Sequence, residues 1–369
     1  MSQQPLNSYR WDGTQWVIAT GGSSSSSLHR DASQTVRLAT LNILADCFSG
    51  LIEMAIRSTE RYEWLCRGLA QLDATIVGLN EVTANAVRQL QECPFVRENY
   101  FLTESSRAQG RRFPHGCVIL SKLPLLEVFE VSVTGNARSA VVVKVPLPNA
   151  SDQYAYICSS HTTPHEASKN AQLRAQQIRD IVHVLEPLGL PYVILGDLNF
   201  YHPFEDSVVL EHRFVDAWAQ THFSNRSPFN DADSGFTFDA IRNTFIPYYI
   251  PGAHRQMRLD RILFSHGFPG TAISPCCLWA NEPIRADSYL FPSDHFGLFI
   301  DLVCATNAEG STMSLSEPDP SAEAVLSANA TNSGDIEPRR PGWIRKSLAL
   351  TSHVFWLGGI AVGLRRNDQ

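Results

Sequence analysis

The sequence predicts an α/β protein: a two-sheet sandwich with helices on its outside, flanked by disordered N-terminal and C-terminal extensions. Three observations lead there. From residue 36 onward, short apolar runs follow one another with few helical patterns between them, which suits two packed sheets. Hydrophobic residues make up 44% of the 369-residue chain and charged residues 18%, enough for a sizeable core. At both ends the composition turns polar and repetitive, as in chains that cannot bury enough apolar surface to fold.

The elements follow in order. Residues 1–35 read as a disordered segment, because Gly21-Gly22 and the serines from Ser23 to Ser27 form a flexible composition. Within it, Tyr9-Arg10-Trp11 and Trp16-Val17-Ile18 are more apolar than a linker, which suggests docking on the main domain or a partner. Residues 36–304 form the ordered domain. Strands are expected at 36–44, 75–79, 116–120, 126–133, 139–145, 154–160, 191–195, 258–264 and 298–303. Helix 60–72 carries Tyr62, Leu65, Leu69 and Leu72 on one face, and helix 167–185 carries Ile178, Ile181, Val182 and Leu185. Residues 305–346 are an acidic linker with a basic end, Arg339-Arg340 and Arg345-Lys346. Residues 347–364 carry no charge and would reach about 27 Å as a helix, which suggests a C-terminal membrane anchor. The residues leave open an amphipathic surface helix or a helix docked on the main domain instead, since Thr351, Ser352, His353 and three glycines interrupt the run.

A formal net charge of −7 excludes a protein that coats nucleic acid by bulk electrostatics. It leaves room for a local basic groove, and it fits a site that gathers a divalent cation on carboxylates. The 8 cysteines contain no C-x-x-C, so zinc-ligand spacing is absent. The first 30 residues hold no apolar run, so no secretory signal peptide is read there. The expectation is an intracellular protein, cytoplasmic or nuclear, or tail-anchored to an organelle membrane, with reduced thiols.

Chemistry concentrates where the predicted strands end. Asn42 closes Thr40-Leu41-Asn42, and Glu81 closes Val77-Gly78-Leu79-Asn80-Glu81. His161 follows Ser159-Ser160, and Asp197 and Asn199 close Gly196-Asp197-Leu198-Asn199. Asp294-His295 immediately precedes the last strand. Taken singly, Asn and Asp at such positions are usually turn formers. Together they place oxygen and imidazole ligands on one rim of a rigid sheet, where α/β folds carry function.

These blocks, with Arg258-Leu259-Asp260-Arg261-Ile262 and Pro292-Ser293-Asp294-His295, resemble the endonuclease/exonuclease/phosphatase superfamily from about residue 36 to 303. That resemblance implies a DNase I-like sandwich and a Mg²⁺-dependent phosphodiesterase, with Mn²⁺ as a substitute. It implies metal ligands Glu81, Asn42 and Asp294, and a catalytic set of Asp197, Asn199, His161, His295 and Asp260. Asp197 would orient or deprotonate the attacking water. Asn199 and His161 would donate to phosphate oxygens, and Asp260 would hold the tautomer of His295. Asn80 stands where the family usually has Gln.

Gly235-Phe236-Thr237-Phe238-Asp239 and the blocks around Asp260 and His295 look like the 5′-tyrosyl-DNA phosphodiesterases, which have Arg where this chain has Tyr201. A tyrosine there could stack on a base instead. The opening Thr40-Leu41-Asn42-Ile43-Leu44-Ala45-Asp46 looks more like poly(A)-shortening nucleases. The cluster of Arg107, Arg111 and Arg112 with Phe113 and His115 reads as a loop able to hold a nucleic-acid backbone, or as a solvated loop. The expected partner is DNA or RNA. An RNA nuclease, a lipid or inositol phosphate hydrolase, and an inactive scaffold of the same fold remain as alternatives.

Overall fold

The structure is a computed structural model that describes residues 3–19, 35–48, 50–104, 115–135, 139–148, 153–222, 234–286 and 288–304. In the first half of the chain lie strands β1 (Gln3–Pro5), β2 (Ser8–Trp11), β3 (Trp16–Ile18), β4 (Thr35–Asn42), β5 (Ile76–Thr83), β6 (Phe101–Thr103), β7 (His115–Ser121), β8 (Glu127–Ser132), β9 (Ser139–Pro146) and β10 (Tyr154–His161). The second half adds β11 (Tyr192–Asp197), β12 (Val215–Asp216), β13 (Phe238–Asp239), β14 (Gln256–Met257), β15 (Asp260–Phe264), β16 (Gly270–Ala272), β17 (Cys277–Trp279) and β18 (Gly297–Cys304). The helices are α1 (Leu51–Ile56), α2 (Ser58–Leu72), α3 (Ala84–Glu92), α4 (Pro94–Asn99), α5 (Ser168–Leu185), α6 (Ser207–Glu211), α7 (Ala217–His222) and α8 (Phe245–Tyr249).

Two mixed sheets pack face to face. One runs β1-β8-β9-β10-β11-β15-β12, the other β16-β18-β4-β5-β7-β6-β2-β3 with β17 beside β18. The parallel pairs are β4 with β5 and β10 with β11. These are the two places where a long helix, α2 or α5, carries the chain back to the same edge, as a parallel pair requires. Alternate residues of each central strand serve different cores. Leu38 of β4 and Val193 and Leu195 of β11 fill the space between the sheets. Ala39 and Leu41 of β4 pack outward under Tyr62, Leu65 and Leu69 of α2, and Ile194 of β11 packs outward under Ile178, Ile181 and Leu185 of α5. Central strands buried on both faces therefore read as continuous apolar runs. Each buried valine, leucine or isoleucine among them contributes about 1.5–3 kcal/mol.

Gly78 of β5 has no room for a side chain: a Cβ there would lie 2.0 Å from Leu195 Cδ1 of the facing sheet. That close approach brings the ends of β5 and β11 within hydrogen-bonding reach of each other.

Two expectations are corrected. The N-terminal segment is not disordered over residues 3–19. β1 pairs with β8 at the edge of one sheet and β2 pairs with β6 and β3 at the edge of the other. The aromatic patch accounts for it: Trp16 donates to the Gln91 carbonyl at 3.0 Å, and Arg97 sits 4.5 Å over the Trp11 ring. Nor are all thiols free, since Cys66 of α2 and Cys93, between α3 and α4, form a disulfide across a sequence separation of 27. Packing of those helices brings their Cα atoms to 5.9 Å, within disulfide range, which no spacing in the sequence announces.

Among the described residues no helix is long and apolar enough to cross a membrane. The proposed anchor at 347–364 and the linker before it lie outside the described residues, as do Arg107, Arg111, Arg112 and Phe113.

Candidate active site

The sheet ends build the site. Asn42 and Glu81 end or nearly end the parallel strands β4 and β5, while His161 and Asp197 end the parallel strands β10 and β11, in register with each other. Asp260 opens β15 opposite Asp197, because antiparallel pairing puts one strand's start beside its neighbour's end. The turn before β18 supplies Asp294 and His295. All eight of these candidates, Asn199 included, thus sit on one rim, and all but half-buried Glu81 are buried.

Local backbone aims them. The pairing of β5 with β7 shifts register between Leu79 and Val82, and Glu81 within that bulge has φ 60°. Asn199 likewise has φ 51°. Left-handed backbone costs a residue with a Cβ roughly 1–2 kcal/mol, and such strain clusters where side chains must be re-aimed. Gly196 has φ 136°, and a Cβ there would lie 2.0 Å from the Ser160 carbonyl oxygen, so the β11 position before Asp197 admits only glycine.

Asp197 is the hub. Its Oδ2 accepts from Asn42 Nδ2 at 3.0 Å and lies 3.3 Å from His161 Nε2 and 3.9 Å from His295 Nε2. Its Oδ1 accepts the Asn199 N–H at 3.0 Å. On the far side of His295, Nδ1 meets Asp260 Oδ2 at 2.8 Å, the carboxylate–imidazole pair that the motifs implied. Phe238 covers the imidazole edge-on, with ring centroids 5.6 Å apart.

Charge in this pocket is unbalanced. Burial pushes the Asp197 carboxyl up to about 7; His295 opposes that shift, and Asp260 and Glu81 reinforce it. Burial also works against the charge on His295, yet Asp260, Asp197 and Asp294 hold its imidazolium well above the ordinary histidine range. For Glu81, burial is outweighed by His115, the Ala45 N–H, His295 and Asn42, so its carboxylate stays below the usual range.

The residues present fit a hard divalent cation. The carboxylates of Asp197, Asp260, Asp294 and Glu81 converge around His295, and the buried Oδ1 of Asp260 has no hydrogen-bond partner. Oxygen donors of this kind suit Mg²⁺ or Mn²⁺. Ligand atoms of Asp197, Asp260 and His295 lie within 4.8 Å of one another, a group that omits Glu81, Asn42 and Asp294. Asn42 turns its nitrogen to the carboxylates: the Leu44 N–H occupies its Oδ1 at 3.0 Å, leaving Nδ2 to bridge Glu81 Oε1 at 3.3 Å and Asp197. Asp294 accepts from the Tyr249 hydroxyl at 2.6 Å and from Ser293 at 3.2 Å.

Among the supporting residues, the sequence singled out Asn80 only for standing where the family usually has Gln, and gave Arg61 and Thr237 no role. Asn80 crosses between the sheets: its Oδ1 accepts the Asp197 N–H at 2.9 Å and its Nδ2 donates to the Ser160 carbonyl at 3.2 Å. Arg61, fully buried in α2, donates to the carbonyls of Ile43, Leu44, Ile56 and Pro292, tying the Asn42 turn to the Asp294 turn. Thr237 accepts the N–H groups of Leu259 and Asp260, both at 3.0 Å. Only the G-F-T-F block hinted at the last of these. Beyond Asn199, a groove of about 160 Å³ opens among Tyr201, His202, Phe236, Met257 and Arg258. Tyr201 lines it, and its hydroxyl is engaged with Asn199 Oδ1 at 3.1 Å.

A two-sheet sandwich with buried carboxylates and imidazoles on one rim defines the phosphodiesterase and nuclease class of fold. The Endonuclease/Exonuclease/phosphatase family model matches residues 39–295, and the chain belongs to that family. Solved structures agree on the fold. TDP2 from D. rerio, complexed with a single-strand DNA product, is similar at TM-score 0.56 and 20% identity, covering 73% of this chain and 98% of that one. TDP2 from C. elegans is similar at TM-score 0.55 and 16% identity, with 73% of this chain and 75% of that one covered. The human Nocturnin catalytic domain with bound sulfate is similar at TM-score 0.51 and 18% identity, with coverage of 73% and 94%. No curated protein matches the chain significantly in sequence.

Proposed function

We propose that this chain is a Mg²⁺-dependent phosphodiesterase that hydrolyses a phosphodiester at a nucleic-acid end. The observation that carries the reading is the convergence of Asn42, His161 and His295 on Asp197, with Asp260 behind His295.

Hydrolysis of a phosphodiester needs a positioned water, relief of negative charge on the phosphoryl oxygens and a protonated leaving oxygen. Asp197, a buried carboxyl near neutral pKa, is suited to take a proton from that water. His295 is held charged by Asp260, with Nε2 directed to the Asp197 side, and donates to a phosphoryl oxygen. His161 and Asn199 add donors from the adjoining strand end and turn. Glu81, anionic and joined to Asp197 through Asn42, would be the principal holder of the cation. When bound, the metal supplies Lewis-acid neutralisation of developing charge.

Nucleic acid is favoured as substrate by the DNA-bound D. rerio TDP2 neighbour, by the motif resemblance, and by the basic sequence cluster that includes Arg111 and Arg112. A hydrolysis panel with and without Mg²⁺ tests the reading: 5′-tyrosyl DNA, oligo(A) RNA, abasic DNA, sphingomyelin and a phosphoinositide. Metal-dependent turnover of a nucleic acid is expected. Turnover of a lipid alone would move the substrate class, and no turnover of any phosphoester would reject the enzyme.

A further inference from the structure

We infer that Tyr201 is a positioning residue, whose hydroxyl fixes the Asn199 carboxamide so that its one remaining N–H is presented to the substrate phosphate. The inference rests on the proposed phosphodiesterase reading.

Asn199 lies just after the end of β11 with left-handed backbone, buried beside Asp197. A carboxamide has two acceptor positions on oxygen and two N–H donors, and its orientation is set by its partners. Asn199 Nδ2 donates to the Thr162 carbonyl at 3.2 Å. Its Oδ1 accepts from the Tyr201 hydroxyl at 3.1 Å. That hydroxyl in turn accepts the His165 N–H at 3.2 Å, so its own proton has one direction left, toward Asn199. Flipping the amide would set its oxygen against the Thr162 carbonyl oxygen. Flipping is thus opposed at one end by a carbonyl and at the other by a hydroxyl whose proton is committed. Burial, with Asp197 nearby, pushes the Tyr201 pKa up to about 12, so the hydroxyl stays a donor at working pH.

The tyrosine is itself held from three sides. Its N–H donates to Glu205 Oε2 at 2.8 Å. Glu205 Oε1 is paired with Arg174 Nε at 2.7 Å, and the Arg174 guanidinium lies 5.0 Å from the Tyr201 ring centroid. Arg174 is fully buried and also donates to the Thr163 and His165 carbonyls, at 3.1 and 2.8 Å. Its Nη2 has no hydrogen-bond partner, which leaves the aromatic face as its compensation. Arg174 and Glu205 therefore join α5, the loop after β10 and the turn after β11 into one support beneath Tyr201. The hydroxyl is the part of that support that reaches a residue of the site.

The test is a double-mutant cycle of Tyr201→Phe and Asn199→Ala, read with Mg²⁺ and bis(p-nitrophenyl) phosphate. Tyr201→Phe removes one oxygen and keeps the ring on Arg174. Its kcat is expected to fall about five- to tenfold, the scale of one hydrogen bond, with KM within about twofold of the parent. In the Asn199→Ala background the same change is expected to have no further effect on kcat. An unchanged kcat, a loss confined to KM, or an equal loss in both backgrounds would overturn the proposal. A second readout does not depend on activity. The Asn199 side-chain amide pair in a ¹H–¹⁵N spectrum, identified by its disappearance in Asn199→Ala, is expected to shift and exchange faster in Tyr201→Phe. An unchanged pair also overturns the proposal. Absence of turnover in the parent on this probe and on every panel substrate would count against the phosphodiesterase reading, and the amide spectrum would still decide whether Tyr201 holds Asn199.

Discussion

At the scale of single residues, the site works through a few side chains whose neighbours decide their charge. Glu81 keeps its negative charge because donors around it outweigh the penalty of burial. Glu81→Gln preserves shape and removes that charge, so kcat is expected to fall about a hundredfold or more, the scale lost with a main electrostatic stabiliser. Steady-state hydrolysis at matched Mg²⁺ checks this, and near-parent turnover would reject the metal-holding role. Asp260 acts on the phosphate only through His295, at 2.8 Å from its Nδ1. Asp260→Asn leaves the shape intact and withdraws the charge that stabilises the imidazolium. A loss of two or more orders of magnitude in kcat is expected, as when the carboxylate behind a catalytic imidazole is neutralised. Circular dichroism should match the parent; an inactive protein that is also unfolded would leave the assignment without support.

At the scale of elements, a buried ion cluster fastens β12 to the stretch that delivers Asp260. Asp216 Oδ2 accepts from Arg258 Nη1 at 2.7 Å and from Arg261 Nη1 at 2.8 Å. Burial would raise the Asp216 pKa, but the two guanidinium groups hold it well below the carboxylate range. A folded-state pKa below the unfolded one contributes stability that is complete above about pH 4 and is lost as pH falls toward the folded value. Removing one partner of such a cluster leaves uncompensated charge, so Asp216→Asn is expected to cost about 3–5 kcal/mol. Urea unfolding at pH 7 measures that cost. Repeated at decreasing pH, the gap between parent and variant should narrow below about pH 4; a constant gap would show that the carboxylate charge is not what stabilises.

At the scale of the whole molecule, the two sheets must approach closely enough for one to steady the other's catalytic end. Gly78 permits that approach, with Leu195 directly opposite, and Asn80 uses it two residues later by holding the Asp197 N–H. Gly78→Ala is expected to destabilise by about 1–3 kcal/mol through overpacking. It should also depress kcat beyond what unfolding explains, because the sheets part beneath Asp197. Thermal melts compared with kcat at a temperature where both proteins are fully folded test this. A variant that is less stable yet as active as the parent would separate sheet spacing from catalysis.

Most of the central strands, the two long helices and the rim residues are legible in the amino-acid order alone. Each of those signals is local: an apolar run, a helical period, or a polar residue where the run stops. Asp197, Asp260 and His295 were legible for that reason, and their order along the chain gave the family. The features that were not legible involve partners far apart in sequence. Strands of three or four residues at 3–18 carry too short a pattern to be read, and they form because sheet edges and an aromatic contact receive them. The Cys66–Cys93 disulfide, the nitrogen face of Asn42, the diversion of Asp294 to Tyr249 and the hold of Tyr201 on Asn199 depend on the packing of separate elements. A linear pattern records which groups reach the rim; only packing fixes the direction in which each hydrogen bond points.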